Sequence, residues 1–225
     1  MDGAGERTLI HRGGPCNARV FRVADADGSE HIEKDFSECP WIVRNTIGRF
    51  LTWRECWILR HLGGTGMVPG GVRMVSAFCI REDFCKGRMR QEYRLEALEG
   101  KTGTLPRSFF EALEEGVAKC HRMRFVHLDL HNARNIIVTQ DNRPILLDWQ
   151  STLPTFLAIP PLRRALERID LAGVYKFWDI IRPGELPPEK QRLLRRSRFF
   201  RRFFWIPALH RPECERGGGD APKCP

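Results

Sequence analysis

Short runs in which apolar and polar residues alternate fill the first third of the chain. TLIHR at 8–12, ARVFRVA at 18–24 and HIEKDF at 31–36 are separated by GGPCN and DADGSE, a pattern that predicts a hairpin flowing into a third strand. From 46 to 62 the period lengthens. Ile47, Phe50, Leu51, Trp53, Trp57, Ile58 and Leu62 fall at helical spacing, and GGTGMVPGG ends the predicted helix. GVRMVSAFCIRE then supplies two more short strands around Ser76. After KGRMR the pattern becomes helical: Leu105, Phe109, Leu113, Val117 and Cys120 recur at three- and four-residue steps after an EGKTGT segment expected to be poorly ordered. NIIV and PILLDW read as two strands joined by TQDNR, and LRRALERIDLAGVYKFWDII and PPEKQRLLRRSRFFRRFF as two terminal helices. There is no internal repeat. The predicted class is α+β: a sheet-rich lobe over 1–85, a helical lobe over 86–212, and a disordered tail over 213–225. Polar loops lie where the lobes join, the usual place for a ligand cleft.

Composition narrows this picture only a little. In 225 residues, 42% hydrophobic and 29% charged, there is enough apolar material for a folded core. The apolar stretches are broken well before the roughly 20 residues that a membrane span needs. The N-terminus MDGAGERTLIHRGG lacks the basic start and apolar centre of a signal peptide, so a cytoplasmic location is expected. Eight cysteines never fall into a C-x-x-C pair, which favours buried or incidental thiols over a zinc or redox site. A formal net charge of +9 favours an anionic partner.

Chemistry concentrates in FVHLDLHNARNIIV at 125–138, where two histidines, an aspartate and two asparagines fall beside a β-branched run. Asp129 precedes a loop that ends in Asn135, and Asp148 closes the strand ILLD, so pairing of the two strands would bring the three side chains together. Oxygen ligands of this kind suit Mg2+, which takes one or two carboxylates and completes its shell with waters and phosphate oxygens.

These residues resemble the protein-kinase-like superfamily: HLD at 127–129 corresponds to its H-x-D catalytic loop, Asn135 to the metal-binding asparagine, and LLDW at 146–149 to the D-F-G aspartate. The resemblance implies that Asp129 orients or accepts the proton of an attacking hydroxyl, that Asn135 and Asp148 hold Mg2+ against the phosphates of ATP, and that His127 braces the loop. It also implies partners upstream. Lys34, in the third predicted strand, is the only lysine before Lys86 in a chain that otherwise prefers arginine, and a flexible ammonium reaching phosphates explains that choice. Glu55, on the following helix, is its expected ion-pair partner. Gly13 and Gly14 stand at the place of the phosphate loop, without the G-x-G-x-x-G spacing, and the N–H groups of Cys16, Asn17 and Ala18 could approach phosphates. Arg81 to Cys85 fall at the hinge, where the backbone of Asp83 and Phe84 is expected to hold adenine.

Four departures indicate a branch. Asn135 lies six residues after Asp129, one more than in the family pattern, so Asn132 remains an alternative contributor. Leu128 replaces the arginine that engages a phosphorylated activation loop. Trp149 and Gln150 replace Phe-Gly, and only 77 residues follow Asp148. The chain is similar to the compact bacterial lipopolysaccharide core kinases, which phosphorylate Kdo or heptose sugars on a lipid carrier, and more distantly to RIO kinases and aminoglycoside phosphotransferases. HLDLHNARNIIV, the REC-x-x-L-R-x-L-G-G helix end and IDLAGVYKF carry that likeness. The implied acceptor is a hydroxyl of an envelope glycolipid sugar. A serine/threonine protein kinase and a non-catalytic pseudokinase are the alternatives. Asp170, in the first terminal helix, is expected to support the loop. Arginines and aromatics interleaved over 192–205 suggest contact with an anionic membrane surface, and no specific nucleic acid is expected.

Overall fold

The computed structural model describes residues 6–14 and 16–203, with side chains through Ser197. Strands β1 (Glu6–His11), β2 (Arg19–Ala24), β3 (Glu30–Asp35), β4 (Arg73–Ser76) and β5 (Cys79–Asp83) form one antiparallel sheet in the order β1-β2-β3-β5-β4. The strand register sorts the charges. Lys34 lies opposite Ile80 and Ile32 opposite Glu82, while Glu33 lies opposite Arg81. Because side chains alternate along a strand, Lys34 and Glu82 share one face and Glu33 and Arg81 the other.

Between β3 and β4 a helix crosses the Lys34 face. It begins earlier than the sequence pattern predicts, as α1 (Trp41–Val43), and passes through a π-helical turn (Arg44–Gly48) into α2 (Arg49–Leu62). Gly48 lies against Phe36, whose Cβ would stand 3.0 Å from an added Cβ. Thr52, Glu55, Cys56, Leu59 and Leu62 face inward at three- and four-residue steps, so a glutamate occupies one position of an otherwise core-facing stripe.

The next two elements had no counterpart in the sequence pattern. β6 (Gly87–Met89) feeds α3 (Arg90–Leu98). Leu95 and Leu98 on α3 are exposed and only Arg90 and Tyr93 are buried, which removes the apolar stripe by which a helix is recognised. α4 (Arg107–Arg122) has that stripe in full, burying Phe109, Phe110, Leu113, Val117 and Cys120. The EGKTGT connector before it is irregular but anchored, with Gly103 N–H donating to the Ile181 carbonyl at 2.6 Å. After β7 (Phe125–Val126) come β8 (Ile136–Thr139) and β9 (Pro144–Leu146), which pair with β6 in the order β6-β8-β9. A 3-10 turn (Trp149–Ser151) leads to β10 (Leu153–Pro154), paired with β7, and then to α5 (Pro160–Ile181) and α6 (Pro188–Phe203).

One core joins these parts. Ile58, Leu59 and Leu62 of α2 and Ile80 of β5 belong to the same buried cluster as Phe110 and Leu113 of α4 and Phe177 and Trp178 of α5. Cys56, Cys79 and Cys120 are buried free thiols, in keeping with the expectation from their spacing. No helix among the described residues is long and apolar enough to cross a membrane. The expected disordered tail over 213–225, and the part of the basic-aromatic segment from Arg198 onward as far as side chains are concerned, lie outside the described residues.

Candidate functional site

Lys34 reaches from the centre of β3 toward α2, where its Nζ lies 2.5 Å from Glu55 Oε1 and 3.4 Å from Glu82 Oε1. All three side chains are nearly inaccessible to solvent. Burial acts to lower the Lys34 pKa, but Glu55, Glu82 and Asp148 outweigh it and hold the ammonium well above its ordinary value. Burial raises the Glu82 carboxyl; Lys34 opposes that rise, and Glu55 and Asp148 add to it. The second oxygen of Glu55 accepts a hydrogen bond from Gln150 Nε2 at 3.2 Å. Arg54, one residue earlier on α2, donates to the carbonyls of Gln150 (2.8 Å) and Thr152. These bonds fix the helix that carries Glu55 to the segment that follows Asp148.

The loop between β7 and β8 is built on a buried carboxylate. Asp170 of α5, 1% exposed, accepts from His127 N–H (2.8 Å), Leu128 N–H (2.7 Å) and His121 Nε2 (2.9 Å). The first two bonds hold Leu128 at φ 66°, a left-handed conformation that is unfavourable for leucine unless its surroundings enforce it. α5 comes so close at Gly173 that an added Cβ would stand 2.8 Å from the Leu130 carbonyl oxygen. Arg90 of α3 donates to the same carbonyl at 2.5 Å. Elements far apart in sequence thus converge on the backbone of one loop.

Within that loop Asp129 N–H donates to His127 Nδ1 at 3.3 Å, so the ring proton sits on Nε2 and is donated to the Leu147 carbonyl at 2.9 Å. His127 also packs against the Trp149 ring, 4.7 Å between centroids. It bridges the strand-end segment to the loop. Asn135 Nδ2 donates to Asp129 Oδ2 (2.8 Å) and to the Asp129 carbonyl (3.1 Å), which leaves its amide oxygen as an acceptor. Asn132 Nδ2 also reaches Asp129 Oδ2, at 3.3 Å. Burial raises the Asp129 pKa; the two asparagines and His127 oppose that rise, and Asp148 adds to it. Asp148 itself adopts φ 58°, ψ 70° at the start of the 3-10 turn. Its charge acts on Lys34 and Glu82 of the sheet and on Asp129 of the loop.

Asp129, Asn135, Asp148, Lys34, Glu55 and His127 therefore gather in one region. Gly13 and Gly14 lie at the β1–β2 connection, beside a pocket of about 310 Å3 lined also by Arg12, Asn17, Arg19 and Asp35. Gly13 has φ 65°, and an added Cβ would be 2.6 Å from the Ala18 carbonyl oxygen, so this turn admits only glycine. Asn17 N–H is used within the turn, donating to Gly14 at 3.0 Å. At the end of β5, Asp83 N–H donates to Gly70 and Phe84 N–H to Glu30, each at 2.9 Å.

Sequence reasoning missed Glu82 and Gln150. Strand alternation was the available signal for Glu82, which lies two residues after core-facing Ile80 and therefore faces Lys34. Nothing in the sequence pointed to Gln150. Among the described residues no group of three or more His, Cys, Asp or Glu side chains is arranged to hold a metal by itself. The donor types suit Mg2+ nonetheless, because that ion needs few protein ligands: the Asp148 carboxylate and Asn135 amide oxygen are hard donors, and Lys34 is shared among Glu55, Glu82 and Asp148. No protein-family model matches the chain, and no curated protein matches it.

Proposed function

We propose that the chain is a protein-kinase-like phosphotransferase that moves the γ-phosphoryl group of ATP to a hydroxyl, with a sugar of an envelope glycolipid as the acceptor. The observation that carries this reading is the buried Lys34–Glu55 pair standing, through Asp148, beside a loop in which Asn135 fixes Asp129. In this reading Lys34, kept charged and oriented by Glu55, binds phosphate oxygens. Asn135 and Asp148 would hold Mg2+, which would supply charge neutralisation for the phosphates. Asp129, with its pKa raised by burial, accepts a hydrogen bond from the acceptor hydroxyl and takes its proton as the phosphoryl group leaves ADP. Catalysis is positioning and electrostatics, so each part must be in place before turnover.

The acceptor assignment rests on the resemblance to lipopolysaccharide core kinases and on the basic charge of the chain, +9. A second reading, a protein of this fold that performs no transfer, draws on the engaged N–H groups of Asp83 and Phe84 at the expected adenine position. Magnesium-dependent ATP turnover separates the two, measured for wild type beside Asp148→Ala, with and without extracted envelope glycolipid. Turnover that requires both Asp148 and the glycolipid supports the kinase and its acceptor. Turnover on a protein substrate instead moves the acceptor to serine or threonine, and no turnover with any acceptor favours the non-catalytic reading.

A further inference from the structure

A ladder of rings runs along the outer side of α2. Phe50 and Trp53 have centroids 6.3 Å apart, Trp53 and Trp57 6.4 Å, and Trp57 reaches Phe156 at 6.4 Å. The ladder thus crosses from α2 to the segment between β10 and α5. Burial decreases outward along it: Trp57 is half-buried, Trp53 and Phe50 are 54% and 55% exposed, and Leu157, next to Phe156, is 98% exposed. Trp41 and Ile42 at the start of the helix are 70% and 69% exposed. Large exposed aromatics in such numbers on one side of a folded protein mark a surface that something covers. The two segments form one rigid face, because Arg54 is bonded to the carbonyls of Gln150 and Thr152 and Phe125 packs under both Trp57 and Phe156.

Charge selects the occupant. Between Pro40 and Gly66 the only carboxylate is Glu55, which is buried and engaged with Lys34 and Gln150, whereas Arg44, Arg49, Arg54 and Arg60 lie on the same stretch. From Trp149 to Leu166 there is no carboxylate, and Arg163 and Arg164 follow the exposed apolar residues. Tryptophan, phenylalanine and leucine at the centre, with arginine in excess of acid around them, Arg163 alone of these being paired with a carboxylate among the described residues, Glu167 at 3.4 Å, is the composition of a surface that seats in the headgroup region of an anionic bilayer, with rings at the acyl boundary and guanidiniums on phosphates. Leu157 projects from the protein, which suits insertion into a fluid layer. We propose that this face, centred on Phe50, Trp53, Phe156 and Leu157, docks the protein on anionic membranes. It is built from segments other than α6, and it does not depend on the phosphotransferase reading.

Vesicle co-sedimentation of the full chain tests it, with neutral phosphatidylcholine vesicles beside vesicles containing 30% phosphatidylglycerol. Binding is expected to the anionic vesicles and to weaken with salt. Phe50→Ser combined with Leu157→Asp is expected to reduce partitioning at least about tenfold, and Arg163→Gln with Arg164→Gln about fivefold per charge removed. Phe50, Leu157 and Arg164 are exposed and Arg163 is partly exposed in an i,i+4 pair with Glu167, so thermal unfolding should stay close to wild type. Quenching of tryptophan fluorescence by brominated lipid should fall in Trp53→Phe. A wild type that ignores anionic vesicles overturns the proposal. So does binding that survives the face variants but is lost in Arg192→Gln with Arg195→Gln on α6, or a concentration-dependent dimer that Phe50→Ser dissolves. ATP turnover in detergent, measured in parallel, reports on the catalytic reading alone.

Discussion

Glu33 and Lys34 are neighbours on β3, both buried and both charged, yet they belong to two different kinds of surface. On the Glu33 face each carboxylate has a guanidinium: Arg81 lies 2.7 Å and Arg7 3.0 Å from Glu33, Arg7 also takes Asp35 at 2.8 Å, and Arg81 takes Asp25 at 3.2 Å. On the Lys34 face one ammonium is shared among Glu55, Glu82 and Asp148. The first arrangement is satisfied by the protein's own groups. The second leaves negative charge in a place that water barely reaches, a costly state unless a cation arrives. Burial of charge does not separate the two faces; the ratio of charges does, two guanidiniums to three carboxylates on the Glu33 face and one ammonium to three on the Lys34 face.

The contrast breaks most sharply at the loop. Asp129→Asn should lower turnover by roughly 10²–10⁴-fold, while ATP binding measured by calorimetry stays near wild type. Glu33→Gln should leave turnover unchanged. Equal losses from both substitutions would refute the distinction between the faces. Lys34→Met comes next: it strands Glu55 and Glu82 without their cation, and denaturant unfolding should show a loss of about 3–5 kcal/mol together with loss of turnover. On the other face Arg81→Met leaves Glu33 paired with Arg7 and Asp25 beside His31, so the same measurement should show a smaller loss than Lys34→Met and no change in turnover.

Much of this site was legible in the sequence because its chemistry is local. Asp129, Asn132 and Asn135 come from one loop, and Asp148 ends the adjacent strand, so composition and spacing were enough to group them. Glu55 was expected opposite Lys34 through the resemblance and not from its position in the helix pattern, and Asp170, expected to support the loop, accepts from two of its N–H groups. What could not be read depends on tertiary partners. Helix α3 buries Arg90 and Tyr93 while exposing its leucines, so periodicity misses it. The left-handed backbone at Leu128 is imposed by hydrogen bonds from Asp170 on another element, not by leucine's own preference. Gln150 reaches Glu55 only because two segments 95 residues apart meet. The five-stranded sheet agrees with the predicted strands, with ends shifted by a residue or two.

Glu82 gives the smallest expected effect and the sharpest test of the unbalanced face. Burial raises its folded-state pKa above the ordinary 4.5, Lys34 opposes that rise, and Glu55 and Asp148 reinforce it. The folded protein therefore binds more protons than the unfolded chain from the ordinary carboxylate range up to the raised value, and stability falls as pH rises through that window. Glu82→Gln should flatten this part of the stability–pH curve, followed by denaturant midpoints from acid to neutral pH; Asp129, raised in the same direction, retains part of the slope. Magnesium adds a second arm. If Asp148 takes up the missing cation, adding Mg2+ to wild type should reduce the slope much as Glu82→Gln does, by offsetting the charge that Glu82 feels, and adding it to Asp148→Ala should not.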